Sequence, residues 1–387
     1  MTQEDINYIL ENKDFIKSHI NEDPIKLLLK YSNDEGKKLL VEQIASRKKI
    51  RKKLPSWYQN LDLIFLPGLS LEQSSSEDTG TLKANLISGK HLLDITGGMG
   101  VDTFFLSQNF DKTTYVEKNP ELYKTATHNL SALSKRIETV NADGIEILKK
   151  SAADVVYIDP FRRDSANQKM VSLADCEPNV LHLKPWLTQN GRVTYIKASP
   201  MLDIHTAINE LKNVSEVWII SSRNECKEVV FKLQEQKDQP IEIRTFNISP
   251  NITERFNFTW NPEKRVDLSF SEPLNYLYEP NASVLKSGGQ DFLSKKMTTN
   301  KLHPNSNFFT SSELISDFPG KSFKVEQVLT PFDKSLKKGR FNVISRNFPN
   351  KASEIEKKLK LLSDKENYVI ATKTVGEKHI FITATLL

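Results

Sequence analysis

From His91 onward the sequence keeps a rhythm that few folds can accommodate. Short runs rich in β-branched and aromatic residues recur as HLLDI, TTYVE, RIETV, DVVYID, RVTYIKA, EVWIIS and EVVFKL. Most of the early runs are separated by stretches long enough for a crossover helix. Strand and helix in alternation build a parallel sheet with helices on both faces. The last two runs are joined only by SRNECK, too short for a parallel crossover, so an antiparallel hairpin is expected at the sheet edge. The expected architecture is α/β, a seven-stranded, doubly wound, Rossmann-like sheet with one reversed strand.

At 387 residues the chain exceeds what one core comfortably serves, and two or three domains are expected. INYILENKDFIKSHI, PIKLLLKYS and EGKKLLVEQIASRKKIRKKL carry apolar residues at spacings of three and four, which predicts a helical subdomain over 1–60, interrupted near Pro55. Residues 67–71 read as a loop. Ser74 and Glu77 have the spacing of a capping box that would start a helix running to about Ser88. The sheet domain is expected over 61–270. Beyond it, IEIRTFNI continues a strand, NITERFNFTWNPEK is loop-like, and LNYLYEPNASVLKSGGQDFLSKK predicts an edge strand and a helix. Residues 271–387 are expected to form a small α+β region that ends in strand, amphipathic helix, strand, turn and strand.

No stretch has the roughly 20 apolar residues of a membrane span, and the acidic start MTQEDINYIL is unlike a secretory signal. A cytoplasmic protein is expected, with Cys176 and Cys226 reduced and no metal site. The net charge of +5 permits a polyanionic partner without requiring one. Six basic residues lie between Arg47 and Lys53, and the last 57 residues hold twelve Lys or Arg against six Asp or Glu.

The run ending at Asp94 passes through DITGGMG into the helical pattern VDTFFLSQNF. Gly98 and Gly100 allow a sharp turn and a close backbone approach to a ligand, although any α/β fold can carry a tight turn here. A dinucleotide fingerprint would need a third glycine, and that position holds Thr103. Asp94 also stands where it would repel a diphosphate, whereas S-adenosylmethionine carries an ammonium and a sulfonium that an acid attracts. Glu117, 23 residues after Asp94, closes the second strand, where a carboxylate can accept from both ribose hydroxyls. Asp143 in NADG serves either an adenine amino group or an Asp-Gly turn. Thr96 lies inside the glycine turn and joins Asp94, Gly98, Gly100, Glu117, Asp143 and Asp159 as a cofactor-binding candidate.

DITGGMG, YVEKN, NADG and YIDPFRRD, in that order and spacing, resemble the successive motifs of class I S-adenosylmethionine-dependent methyltransferases. LEQSSSEDTG, KASPMLD, NECKE and LNYLYEPNASVLK further resemble a bacterial group provisionally classed as RNA methyltransferases, which carry a THUMP-like domain at the C-terminus. The resemblance implies methylation of a base nitrogen in tRNA or rRNA. A small molecule or a protein as substrate, and a non-catalytic RNA-binding protein with a relict cofactor fold, are the alternatives.

The resemblance implies that Asp159 and Pro160 stand beside the transferred methyl group. In amino-methylating relatives an Asp or Asn followed by two prolines holds the target nitrogen, and here Phe161 replaces the second proline. Phe161 is expected either to stack on a base or to pack in the core. Arg162 and Arg163 either grip phosphate or pair with Asp164 or Glu177. Lys197 is placed beside Asp159, where it could lower the pKa of a ribose hydroxyl. Lys48, Lys49 and Lys52, near Trp57 and Tyr58, either track an RNA backbone or form a solvated face.

Overall fold

The computed structural model describes residues 1–66, 68–134, 136–162, 172–235, 239–261 and 266–387. The chain divides into one unit of Met1–Val217 with Glu228–Gln239 and a second of Trp218–Lys227 with Pro240–Leu387.

The first unit starts with helices α1 (Gln3–Glu11), α2 (Lys13–His19), α3 (Pro24–Lys30) and α4 (Glu35–Ile50). Thr2 and Asp5 form a reciprocal capping box at α1. The run expected to continue to Ile20 breaks at Asn12, which leaves helical φ/ψ and donates its amide to the Tyr8 carbonyl at 2.9 Å. Ile6, Ile9, Ile16, Leu27, Leu40, Val41 and Ile44 close around Ile64 as one apolar cluster. Three short helices follow: α5 (Pro55–Gln59), α6 (Leu69–Gln73) and α7 (Glu77–Ala84). Where a loop was expected over 67–71, α6 occupies Leu69 to Leu71, and residue 67 lies outside the described residues. The cap of α7 is Ser76, not Ser74, because Ser76 accepts from the Thr79 N–H, while Glu77 turns back to accept from the Ser56 N–H and hydroxyl.

The sheet alternates with helices as β1 (Gly89–Asp94), α8 (Val101–Ser107), β2 (Phe110–Glu117), α9 (Pro120–Leu133), β3 (Ile137–Asn141), α10 (Gly144–Lys150) and β4 (Val155–Ile158). A two-residue ribbon, β5 (Phe161–Arg162) with β6 (Cys176–Glu177), precedes α11 (Lys184–Leu187), β7 (Val193–Ala198), α12 (Ile204–Leu211), β8 (Val214–Ser222) and β9 (Glu225–Leu233). The strands follow the order β8-β9-β7-β4-β1-β2-β3. All four residues of β4 are buried, as a strand covered on both faces requires. β1, β2, β3, β4 and β7 pair in parallel, and β9 pairs antiparallel to β7. The expected hairpin is present, with its reversed strand between β7 and β8 and not outermost. Its two-residue turn, Arg223 and Asn224, has φ of 52° and 60°, the left-handed pair that matches strand twist.

In the second unit, β10 (Glu242–Ile248) pairs antiparallel with β11 (Thr253–Thr259), in the order β11-β10-β8. β11 replaces the expected loop, and its outward alternation in ERFNFT was the overlooked strand signal. The second sheet contains β12 (Tyr276–Pro280), β13 (Asn300–Lys301), β14 (Phe309–Ser311), β15 (Gly320–Leu329), β16 (Asn342–Ser345), β17 (Asn367–Lys373) and β18 (His379–Leu386). Its order is β13-β14-β12-β15-β18-β17-β16, so β12 is internal where an edge strand was expected. The helix expected after it is split by Gly288 (φ 72°) into α13 (Ala282–Ser287) and α14 (Gln290–Met297). The terminal helix α15 (Ala352–Leu359) packs Ile355 and Leu359 against Val369, Ala371 and Phe381. Among the described residues, no helix is long and apolar enough to cross a membrane.

Candidate functional site

The carboxyl ends of β1, β2, β3 and β4 border a cavity of about 510 Å³. In open α/β sheets this end of the strands is where ligands bind, and the volume falls within the range of about 300–1,000 Å³ typical of small-molecule sites.

Asp94 ends β1 almost fully buried. It accepts from the Thr103 hydroxyl at 2.6 Å and the Thr96 N–H at 3.1 Å. Burial pushes its carboxyl up to about 7 against the pull of those two hydrogen bonds. The Thr96 hydroxyl in turn accepts from the Asp159 N–H at 2.6 Å, which ties the ends of β1 and β4 together.

The turn after β1 uses its glycines in different ways. Gly98 and Gly100 have φ of 55° and 77°, where a side chain would strain the backbone. Gly97, to which the motif analysis gave no role, answers to sterics, because a Cβ there would lie 2.1 Å from the Tyr115 ring. The Tyr115 hydroxyl donates to the Gly98 carbonyl at 2.6 Å, and the Gly98 N–H donates to Glu117 Oε2 at 3.0 Å. Glu117 Oε1 accepts from the Asn119 N–H at 2.7 Å, so the carboxylate is fixed at the cavity wall by two main-chain donors. Asp143 Oδ1 caps α10 through the Ile145 N–H at 2.8 Å, as the turn reading expects, and Asp143 also lines the cavity.

Asp159, at the end of β4, remains 36% exposed on its side chain and lines the cavity. Burial raises its pKa, and the Lys197 ammonium, 2.5 Å from Oδ2, opposes the rise. Pro160 leads into Phe161, which is 47% exposed and lines the cavity, an exposure incompatible with core packing. Phe161 lies opposite Glu177 in the ribbon, Glu177 is ion-paired with Lys118, and the Lys118 ammonium sits 5.4 Å from the Phe161 ring centroid. The side chain of Arg162 and all of Arg163 and Asp164 lie outside the described residues.

Lys197 does not line the cavity. It is buried and joined to Asp159, to Asp102 Oδ2 at 3.3 Å and to the Ser75 hydroxyl at 3.1 Å. Burial disfavours its charge, but Asp159, Asp102 and Glu228 outweigh burial and raise its pKa. Lys83, Asp102, Glu228, Ser75 and Tyr157 complete a buried polar cluster that the motifs did not disclose. The quoted strings LEQSSSEDTG and NECKE hold Ser75, Lys83's helix start and Glu228, but no spacing rule points from these strings to one site.

The basic run is less open than its composition implies. Arg47 is buried, donates to the carbonyls of Tyr58, Asn60 and Leu63, and is pushed down to about 10 by burial. Lys48 donates to the Glu22 carbonyl and Lys49 pairs with Glu72 at 2.9 Å, while Lys52 is exposed. Cys176 and Cys226 are not joined in a disulfide. Among the described residues, no group of three His, Cys, Asp or Glu side chains could hold a metal.

Three family models match successive parts of the chain. They are Conserved hypothetical protein 95 over residues 79–217, a ferredoxin-like domain over 276–319 and a THUMP domain-like model over 320–385. A crystal structure from Porphyromonas gingivalis W83, provisionally called a methyltransferase, aligns with a TM-score of 0.86 and 27% identity over 100% of this chain and 99% of that one. Ribosomal RNA small subunit methyltransferase J of Rhodopseudomonas palustris (strain BisB5) is 26% identical over 107 residues, 24% of this chain. That match spans about half of the relative, 49% of its length.

Proposed function

Because the chain joins a class I methyltransferase domain to a C-terminal THUMP-like module, we propose that it methylates a base nitrogen of RNA, tRNA or rRNA, using S-adenosylmethionine. The observation that carries this reading is the acid-lined cavity with Asp159 and an exposed Phe161 at its mouth. Asp94, Glu117, Asp143 and Asp159 all line it, a donor set that suits an ammonium and a sulfonium and would repel a diphosphate.

When bound, S-adenosylmethionine supplies an electrophilic methyl group, so the protein's task is to orient a nucleophile and exclude water. Glu117, held by the Gly98 and Asn119 N–H groups, accepts from the ribose hydroxyls with its remaining lone pairs. Asp143 faces the adenine amino group, Asp94 the charged end, and Gly98 and Gly100 leave the main chain bare. Thr96 keeps Asp94 and Asp159 in register. Asp159 and the Pro160 carbonyl accept from the target amino group, and Asp159 takes the proton the nitrogen sheds. Phe161 stacks on the base, while Arg162, Arg163, Lys48, Lys49 and Lys52 meet the RNA backbone. The ammonium of Lys197 is committed to two carboxylates, which favours a base nitrogen over a ribose hydroxyl. In this assignment 1–60 is a helical subdomain, 61–270 binds the cofactor, and 271–387 helps to select the RNA.

Incubation with methyl-labelled cofactor and total RNA is expected to label RNA. Asp159→Ala should lower transfer by at least about 10²-fold and leave the affinity for S-adenosylhomocysteine within about twofold. Label confined to metabolites or protein would overturn the RNA assignment.

A further inference from the structure

Behind Asp159 lies a chain of buried charge that reaches from α7 through α8 and β7 to β9. Lys83 Nζ stands 2.7 Å from Asp102 Oδ1 and 2.9 Å from Glu228 Oε1, as ion contacts out of line for hydrogen bonds. It donates to Glu228 Oε2 at 3.1 Å, to the Ser75 hydroxyl at 2.9 Å and to the Tyr157 hydroxyl at 3.2 Å. Ser75 donates onward to Asp102 Oδ2 at 2.8 Å, and Lys197 bridges that carboxylate to Asp159. The side chains of Lys83, Asp102, Glu228 and Lys197 are each at most 9% exposed. Ser75, Asp102, Tyr157 and Asp159 line the cavity, and Asp159, 36% exposed on its side chain, is the most open of the linked carboxylates.

The charges balance unevenly. Lys83 and Lys197 neutralise Asp102 and Glu228, which leaves Asp159 as the odd carboxylate, held by one oxygen from behind. An isolated carboxylate at this depth would take up a proton and lose its capacity to receive one from a substrate.

Resting on the transfer-site reading above, we propose that Lys197, braced by Lys83, Asp102, Glu228 and Ser75, is a positioning residue that keeps Asp159 ionised and aimed at the cavity. The groups that face Asp159 are Lys197 from β7, Asp102 from α8, Lys83 from α7, Asp94 from β1 and the Tyr157 hydroxyl from β4. Of these, Asp102 is anionic, Asp94 becomes so only as the pH rises through about 7, the Tyr157 phenol is neutral and Lys83 is shared with Glu228, so Lys197 is the cation whose removal Asp159 should feel most. Lys197 neither touches the cavity nor gives up a proton during transfer.

The test compares Lys197→Met and Lys197→Arg with the parent full-length protein. The Asp159 carboxyl is titrated by ¹³C NMR, with its resonance assigned from the Asp159→Asn difference, and this readout needs neither cofactor nor RNA. In Lys197→Met the midpoint should rise by about one pH unit or more, a tenfold change in the ionised fraction on the acid limb. RNA transfer should fall about tenfold or more on that limb and recover as the pH rises, with KM for S-adenosylmethionine within about twofold. Lys197→Arg should keep the midpoint near that of the parent. Lys197→Gln carries the same expectation as Met and replaces it if the Met variant is not recovered folded. An unchanged midpoint, or a loss of rate by the same factor at every pH, overturns the proposal. If the parent transfers no label to RNA the substrate reading fails, and the carboxyl titration still decides the role of Lys197.

Discussion

In the C-terminal region three buried ionisable side chains are each paired with a partner open to solvent. Glu279 meets Arg346, Lys301 meets Asp291 and His303 meets Glu377, at 2.9–3.0 Å, with partner exposures of 56%, 37% and 68%. Beneath the cavity the pairing is different, since Lys83, Lys197, Asp102 and Glu228 are buried together. A half-exposed pair desolvates only one ion fully. A fully buried cluster desolvates every member, and such clusters seldom exceed an apolar core in stability. The C-terminal arrangement is therefore explicable by folding alone, while the buried cluster needs a reason beyond stability, and its contact with Asp159 supplies one.

The largest expected effect tests that distinction directly. Lys83→Met strands Asp102 and Glu228 in the interior and should cost about 3–5 kcal/mol in urea denaturation. Lys301→Met leaves an Asp291 that can rehydrate, so its cost should stay near about 1 kcal/mol. Equal losses would erase the contrast between the two regions.

A smaller effect comes from Asp94, a buried acid held by the neutral Thr96 N–H and Thr103 hydroxyl. Its pKa is raised from the ordinary 3.8 to about 7, so the folded protein binds a proton that the unfolded chain has released. Its contribution is fully present below about 3.8 and is lost as pH rises through about 7. Asp94→Asn should flatten this part of the stability profile between roughly pH 4 and 7. A cationic ligand favours the ionised form, so affinity for S-adenosylhomocysteine, whose amino group is charged, should weaken by up to about tenfold between pH 8 and 6. Calorimetry across that range decides the point, and a flat profile would remove Asp94 from the ligand's surroundings.

The contrast also explains what was legible in the sequence. Asp94, the glycine turn and Glu117 were readable because strand, turn and strand occupy fixed intervals in a doubly wound sheet, and backbone geometry needs particular residue types there. The C-terminal strand, helix, strand and strand series was readable because its apolar faces follow simple periods. The buried cluster was not, since its members are separated by up to 145 residues and each alone looks like an ordinary surface charge. Gly97 was overlooked because its requirement comes from a ring on the next strand, not from its own φ. At α7 the choice between Ser74 and Ser76 was settled by which hydroxyl reaches an unpaired N–H, a matter of two residues that spacing alone could not resolve.

The smallest effect concerns the run from Arg47 to Lys53, which contains both kinds of cation within a few residues. Arg47 closes three carbonyls and faces the Phe65 ring, so it belongs with the buried charges. Lys52 is exposed and has no hydrogen-bond or ion-pair partner among the described residues, so Lys52→Ala should change stability by no more than about 0.5 kcal/mol. If the run tracks an RNA backbone, the same substitution removes one phosphate contact. The slope of log binding constant against log salt should then fall by about 1, or slightly less for single strands. An unchanged slope would assign this face to solvent and leave RNA contact to the C-terminal lysines, because counterion release registers every phosphate neutralised whatever the sequence of the RNA.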